Sequence, residues 1–336
     1  MAYSVPGARV IPFDLKTLVD GLLDATIVLS FDRSGFRRHA ARFRAEDLEV
    51  SLAGRNCLVT GGNSGIGKAA ATGLAARGAE VFLLCRSRER GEEAAKEIRR
   101  ATGNPAVHVE ELDVSDRTSI RAFVRRFRPP RVDVLVNNAG VLPDRRTATS
   151  DGVELTLATN LVGPYLLTEL LLPRLGASPD ARVVNVASGG MYTQKLDVKE
   201  LLAGGPDPFD GVVQYARTKR ALVVLNELWA GRRRNEGVTF SAMHPGWADT
   251  PAVRTSLPRF REVTKAILRT PEEGADTVIW LAVAPSLAGR SGLFWFDREP
   301  VSTHYLPWTK ETAAEREALA EALRTLAALD SDRRGA

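Results

Sequence analysis

Tyr215 and Lys219 stand four positions apart in the stretch Tyr-Ala-Arg-Thr-Lys. On a helix that spacing places both side chains on one face, one turn apart. An isolated phenol, with a pKa of about 10, is a poor proton donor or acceptor at neutral pH. An ammonium held beside it favours the phenolate and draws that value towards working pH. Because Tyr-x-x-x-Lys occurs by chance in many helices, the weight comes from other residues. Ser188 follows the apolar run Arg182–Ala187, so a strand delivers its hydroxyl to a strand end. A hydroxyl there can donate to an oxygen on which charge develops. Asn160 lies inside the apolar run Leu155–Leu175, where a buried amide demands partners. The plain alternatives are a turn serine and a satisfied core amide.

A second constellation binds rather than reacts. The short apolar strand Arg55–Thr60 runs into Thr60-Gly61-Gly62-Asn63-Ser64-Gly65-Ile66-Gly67, and a helical pattern follows at Lys68–Arg77. Strand, glycine loop and helix is the context that a pyrophosphate needs. The glycines let the backbone approach, and the helix N-terminus offers free N–H groups and positive dipole. The next strand, Glu80–Cys85, ends at Arg86 with no acid at its tip. An acid there would accept the ribose 2′-hydroxyl of NAD, whereas a guanidinium suits the 2′-phosphate of NADP. The expected cofactor is therefore NADP(H) in preference to NAD(H), against the plainer reading of Arg86 as a solvated helix start.

The elements that position these groups alternate. Helices are expected at Glu92–Ala101 and Thr118–Phe127, and strands at Val107–Leu112, Val132–Val136 and Arg182–Ala187. A helix over Tyr215–Arg232 and a strand over Thr239–Met243 come next, then helix Glu272–Val283 and strand Leu293–Phe296. This order gives an α/β fold, a single Rossmann-type doubly wound parallel sheet with helices on both faces. The expected organisation is an N-terminal helical extension over 1–50, a dinucleotide-binding domain over 51–300 and a helical tail over 301–336. Residues 251–270, mixed apolar and basic with prolines, suit a mobile cover. His244, before Pro245, reads as structural, and Trp247 either lines the substrate cleft or packs as part of the cover.

Composition bounds the partners. Net charge is +5 over 336 residues, too mild for the basic stripe of a nucleic-acid binder. Cys57 and Cys85 fall at opposite ends of neighbouring strands, too far apart to bridge, and read as buried thiols in a reducing compartment. No Cys/His cluster has metal-ligand spacing, so no metal is expected. The early apolar run Leu15–Phe31 is interrupted by Asp20 and Asp24 and is too short and charged to span a bilayer. The expected location is the cytoplasm. Residues 15–30 suit a helix, and Phe36, Ala40 and Phe43 form a stripe flanked by arginines. That stripe either packs on the domain or makes a peripheral contact with a membrane surface.

Taken together, these residues resemble the short-chain dehydrogenase/reductase family. The resemblance rests on the Thr60–Gly67 motif, Asp113, the tetrapeptide Asn137-Asn138-Ala139-Gly140, Asn160, Ser188, Tyr215 with Lys219, and Pro245-Gly246 followed by Thr250. It covers about residues 52–300. Segments around Asp47–Val50, Gln194–Leu196, Pro208–Asp210 and Pro300–His304 resemble one branch of that family, a branch poorly defined in substrate. Two positions depart from the family pattern: Thr218 stands before the lysine where serine is usual, and Ala187 replaces the first serine of a pair.

The resemblance implies hydride transfer between NADP(H) and a carbonyl/alcohol pair, with a lipophilic aldehyde, ketone or alcohol as the small-molecule substrate. Tyr215 would be the general acid/base, and Ser188 would stabilise the carbonyl oxygen. Lys219 would tune Tyr215 and hold ribose hydroxyls, and Asn160 would hold a water. Cofactor contacts would come from Gly61, Asn63, Ser64, Gly65, Ile66, Gly67, Arg86, Asp113, Val114, Asn138, Ala139, Gly140, Tyr215, Lys219, Pro245, Gly246 and Thr250. The alternative is an NADPH-binding sensor or scaffold with little turnover, which would have no need of a tuned phenol. Relatives pair through the helices carrying Asn160 and Tyr215, and the extensions here leave the oligomeric state open.

Overall fold

Largely apolar runs of four to six residues form the first six strands, with helices packed on the sheet between them. In the computed structural model, which describes residues 26–328 apart from 235 and 257, two short helices come first, α1 (Ile27–Phe31) and α2 (Arg33–Ala40). Then follow β1 (Asn56–Thr60), α3 (Gly65–Ala75), β2 (Glu80–Cys85), α4 (Arg88–Thr102), β3 (Val107–Glu111), α5 (Arg117–Arg126) and β4 (Val134–Asn137). The second half runs α6 (Leu155–Leu175), β5 (Ala181–Val186), α7 (Val198–Leu202), α8 (Gly211–Arg232) and β6 (Val238–Met243). After it come α9 (Pro251–Ser256), α10 (Pro258–Thr264), α11 (Pro271–Val283), β7 (Phe294–Phe296), β8 (Glu299–Pro300) and α12 (Ala313–Leu326).

The eight strands form one sheet in the order β3-β2-β1-β4-β5-β6-β7-β8. Strand order reverses between β1 and β4, both parallel, which opens a crevice at their C-terminal ends. One face is packed by α5, α6, α8 and the C-terminal α12, through residues such as Phe123, Leu166, Leu225 and Leu323. The other is packed by α3, α4 and α11, through Leu74, Ile98 and Leu281. Cys57 and Cys85 are free and buried. Burial pushes both thiols up, Cys85 to about 11. Helix α6 is long and apolar enough to cross a bilayer, but it lies mostly buried against the sheet and is a core helix.

The structure departs from the sequence-based outline in four places. The helix carrying Tyr215 begins at Gly211, because the Asp210 carboxylate accepts from the backbone N–H of Val212 and Val213. Helix α6 contains a π turn at Ala158–Val162, centred on Asn160. The segment expected to be a mobile cover holds α9 and α10, clamped where Asp249 receives both Arg254 and Arg261. Those two guanidiniums hold the Asp249 carboxyl down at about 2. Finally, β8 is an antiparallel addition. Asp297 and Arg298 both have positive φ, 47° and 64°, and make the two-residue turn that folds β8 back on β7.

The helix expected over residues 15–30 lies largely outside the described residues. Helix α2 packs on the domain: Phe36 lies under the Arg269 guanidinium, at 5.3 Å, and Phe43 under that of Arg298, at 4.2 Å. Phe36 and Phe43, both half-buried, thus each contact a guanidinium of the domain.

Candidate active site

Thr60 closes β1 and organises the crevice floor. Its hydroxyl donates to Val136 O and accepts from the backbone N–H of Asn138 and Ala139, at 2.9 and 3.0 Å. The Asn138 amide returns to Thr60 O at 2.9 Å. These bonds fix the Asn137–Gly140 turn against the glycine loop. A side chain at Gly67 would bring Cβ within 2.4 Å of both Asn138 Nδ2 and Gly61 O. Only glycine fits there, and the backbone stays open towards the crevice.

Next to this loop, Ser87 caps α4 by accepting from Arg90 N, and Arg86 and Arg90 flank that helix N-terminus. Both guanidiniums are exposed, and neither makes an ion pair among the described residues. A helix N-terminus with two free guanidiniums is a place for an anion. Beyond β3, the Asp113 carboxylate accepts from Ser115 N and Ser115 Oγ at 2.9 and 2.6 Å.

On the opposite side, Ser188 leaves the end of β5. Its Oγ accepts from Gly190 N at 3.2 Å and lies beside the Tyr215 phenol, whose ionised form it favours. One turn along α8, Lys219 Nζ is buried, 5.5 Å from the centre of the Tyr215 ring, and donates to Val186 O at 2.8 Å. Asn160 sits behind. Its Oδ1 accepts from Val141 N, and its Nδ2 donates to Val141 O and to Thr218 Oγ1. Thr218 in turn donates to Tyr215 O at 2.7 Å. The serine-to-threonine departure therefore keeps a hydroxyl that ties Asn160 to the helix of Tyr215.

Burial pushes the Tyr215 phenol above its ordinary value, and the Ser188 hydrogen bond only opposes that shift. The Lys219 ammonium itself is directed at the Val186 carbonyl. Burial also weakens that ammonium, bringing Lys219 down to about 8. His244 is structural, as expected: it stacks on Phe296 at 4.1 Å, and burial lowers it to about 3.

The sequence-predicted residues converge on one cavity of ≈ 590 Å³. Gly61, Asn63, Ser64, Gly65, Ile66, Gly67, Arg86, Asp113, Val114, Asn138, Ala139, Gly140, Ser188, Tyr215, Lys219, Pro245, Gly246 and Thr250 all line it. Asn160 does not; it is fully buried behind Val141. Sequence reasoning missed Arg90, although it stands four residues after Arg86. It also missed Val141, Leu142, Thr193 and Val212, which complete the wall. No short motif marks such wall residues. The glycine cradle and the residues that line the cavity fit a pyridine dinucleotide.

Comparison with known proteins agrees. The family model for short chain dehydrogenase matches residues 55–259. Dehydrogenase/reductase SDR family member 12 from Bos taurus is 45% identical over 300 residues, covering 88% of this chain and 94% of the relative. Retinol dehydrogenase 12 from Bos taurus is 40% identical over 253 residues, covering 74% and 79%. Among solved structures, the Pseudomonas aeruginosa RhlG/NADP active-site complex superposes with a TM-score of 0.60 at 27% identity, covering 73% of this chain and 94% of that one. The chain belongs to the short-chain dehydrogenase/reductase family, in the branch of dehydrogenase/reductase SDR family member 12.

Proposed function

We propose that this chain is an NADP(H)-preferring oxidoreductase that interconverts a lipophilic carbonyl compound and its alcohol, with Tyr215 as proton donor and acceptor. The observation that carries the reading is the meeting of Ser188, Tyr215 and Lys219 with the glycine cradle in one cavity. NADP(H), when bound, supplies or accepts the hydride. Gly61–Gly67 and the α3 N-terminus would hold its pyrophosphate, and Arg86 with Arg90 its 2′-phosphate. Asn138–Gly140 and Pro245, Gly246 and Thr250 would orient the rest.

The chain's own residues do the proton chemistry. In reduction, the Tyr215 phenol gives its proton to the carbonyl oxygen while the Ser188 hydroxyl donates a second hydrogen bond to the same oxygen. The raised phenol is fully protonated at neutral pH and ready to donate. Lys219, a cation at neutral pH, stabilises the phenolate left behind. Asn160 holds Val141 and Thr218, and through Thr218 the Tyr215 backbone.

The substrate class is read from the wall. Val141, Leu142, Val212 and Trp247 supply apolar surface, Thr193 is polar, and the charged residues of the lining lie among the expected cofactor contacts. A relative named for retinol, an apolar alcohol, supports this reading. The test is NADPH oxidation by the purified protein against aldehydes and ketones graded from short and polar to long-chain and steroidal. Turnover should rise with apolar size. Turnover confined to charged or short polar compounds would reject the substrate class. NADPH binding with silence across the panel would favour the sensor reading.

A further inference from the structure

The Pro245–Thr250 loop of the cavity is held in part by residues far from it in sequence. Trp247 N donates to Phe31 O at 2.8 Å, and Arg269 N donates to Trp247 O at 2.7 Å. Arg33 N reaches Ile267 O at 2.8 Å, so residues 31–33 join both the loop and the strand-like return after α10.

At the centre is the Arg269 guanidinium, only 1% exposed. It grips Asp297 with two bonds of 2.6 and 2.8 Å. Its remaining donors reach Ser30 O at 2.9 Å and Phe31 O at 3.0 Å. His39 Nδ1 lies 2.6 Å from Asp297 Oδ2, the oxygen that Arg269 Nη2 also reaches.

Gly246 lies directly on this guanidinium. Its φ is +68°, and a Cβ there would stand 2.4 Å from Arg269 Nε. The loop conformation and the arginine are therefore fitted to each other. A buried fork that satisfies the carbonyls of residues 30–32 and the Asp297 carboxylate at once is a rigid support, because each lost bond would strand a buried acceptor.

We infer that Arg269 is a positioning residue: it couples the N-terminal extension, which lies outside the 55–259 family match, to the Pro245–Thr250 loop, and so sets affinity for the half of the cofactor beyond the pyrophosphate. The inference rests on the proposed reading of that loop as a cofactor contact. It makes residues 30–39 part of the site's support.

The test compares two ligands on the full-length protein. NADPH spans both halves of the cavity, whereas 2′,5′-ADP carries only the adenosine half with its 2′-phosphate. Arg269→Lys keeps the charge but loses the fork. It should weaken NADPH about tenfold and leave 2′,5′-ADP within about twofold, as expected for loss of one or two charge-assisted bonds. His39→Gln acts one residue further out and keeps the test open if the lysine variant does not fold. It should shift NADPH in the same direction by a smaller factor, again sparing 2′,5′-ADP. A parallel loss of both ligands would mean general destabilisation, and unchanged affinity for both would mean no coupling; either overturns the inference. If the wild type bound neither ligand, the proposed function itself would fail, an outcome distinct from the other two.

Discussion

The two walls of the cavity are built by different means. The glycine wall is assembled from neighbours: Thr60, Gly61, Gly67 and Asn138 belong to β1, the turn after it, the first turn of α3 and the turn after β4, and the two strands pair directly. The opposite wall, Pro245–Thr250, depends on Phe31, Arg269 and Asp297, drawn from both ends of the chain. The first wall is fixed by backbone shape and the second by a buried ion cluster. The glycine wall should therefore yield to steric change, and the far wall to loss of a polar partner.

Apart from Tyr215 itself, the largest effect is expected at Lys219. Lys219→Met should lower turnover by about 10² or more, as for loss of a group that stabilises the proton donor's charge. The same residue gives a pH signature. Its folded value, about 8, lies below that of an unfolded lysine, so protonation opposes folding. That penalty is fully present below about pH 8 and is relieved as pH rises towards the ordinary lysine value. Wild-type stability should thus gain on Lys219→Met across that window, read by urea melts, while reductive kcat/KM falls above about pH 8. A flat profile for both would remove Lys219 from the proton chemistry.

Gly67→Ala tests the glycine wall. The added methyl has no room beside Asn138 and Gly61, so cofactor affinity should drop at least about tenfold, with a stability loss of about 1–3 kcal/mol. Titration of 2′,5′-ADP sharpens the contrast: Gly67→Ala should weaken it, whereas Arg269→Lys should not. Equal behaviour of the two variants would erase the distinction between the walls. A smaller change is expected from Arg86→Asp. It should lower the NADPH-to-NADH affinity ratio by about tenfold, the size of one charge-assisted phosphate contact, with Arg90 retaining part of the site. An unchanged ratio would discard the 2′-phosphate contact.

What could be read from sequence follows the same division. The glycine loop, the Asn138 turn, Ser188 and the Tyr215–Lys219 spacing are local patterns, and the sheet brings them together because strand order and handedness leave little choice. The Asp210 cap was readable too, four residues after a helix-breaking Pro206. The Arg269–Asp297–His39 cluster was not, since its members lie 28 and 258 residues apart and none belongs to a motif. The raised phenol was equally hidden. Spacing places an ammonium near a tyrosine but does not say that the ammonium will face the Val186 carbonyl.

The central claim is that Tyr215 transfers the proton in a site whose cofactor affinity is set elsewhere. The direct measurement is Tyr215→Phe, with turnover on the best carbonyl substrate and the NADPH dissociation constant taken on the same preparation. Turnover should fall by about 10²–10⁴ with the dissociation constant unchanged within about twofold. Retained turnover, or loss of NADPH binding in step with activity, would contradict the account.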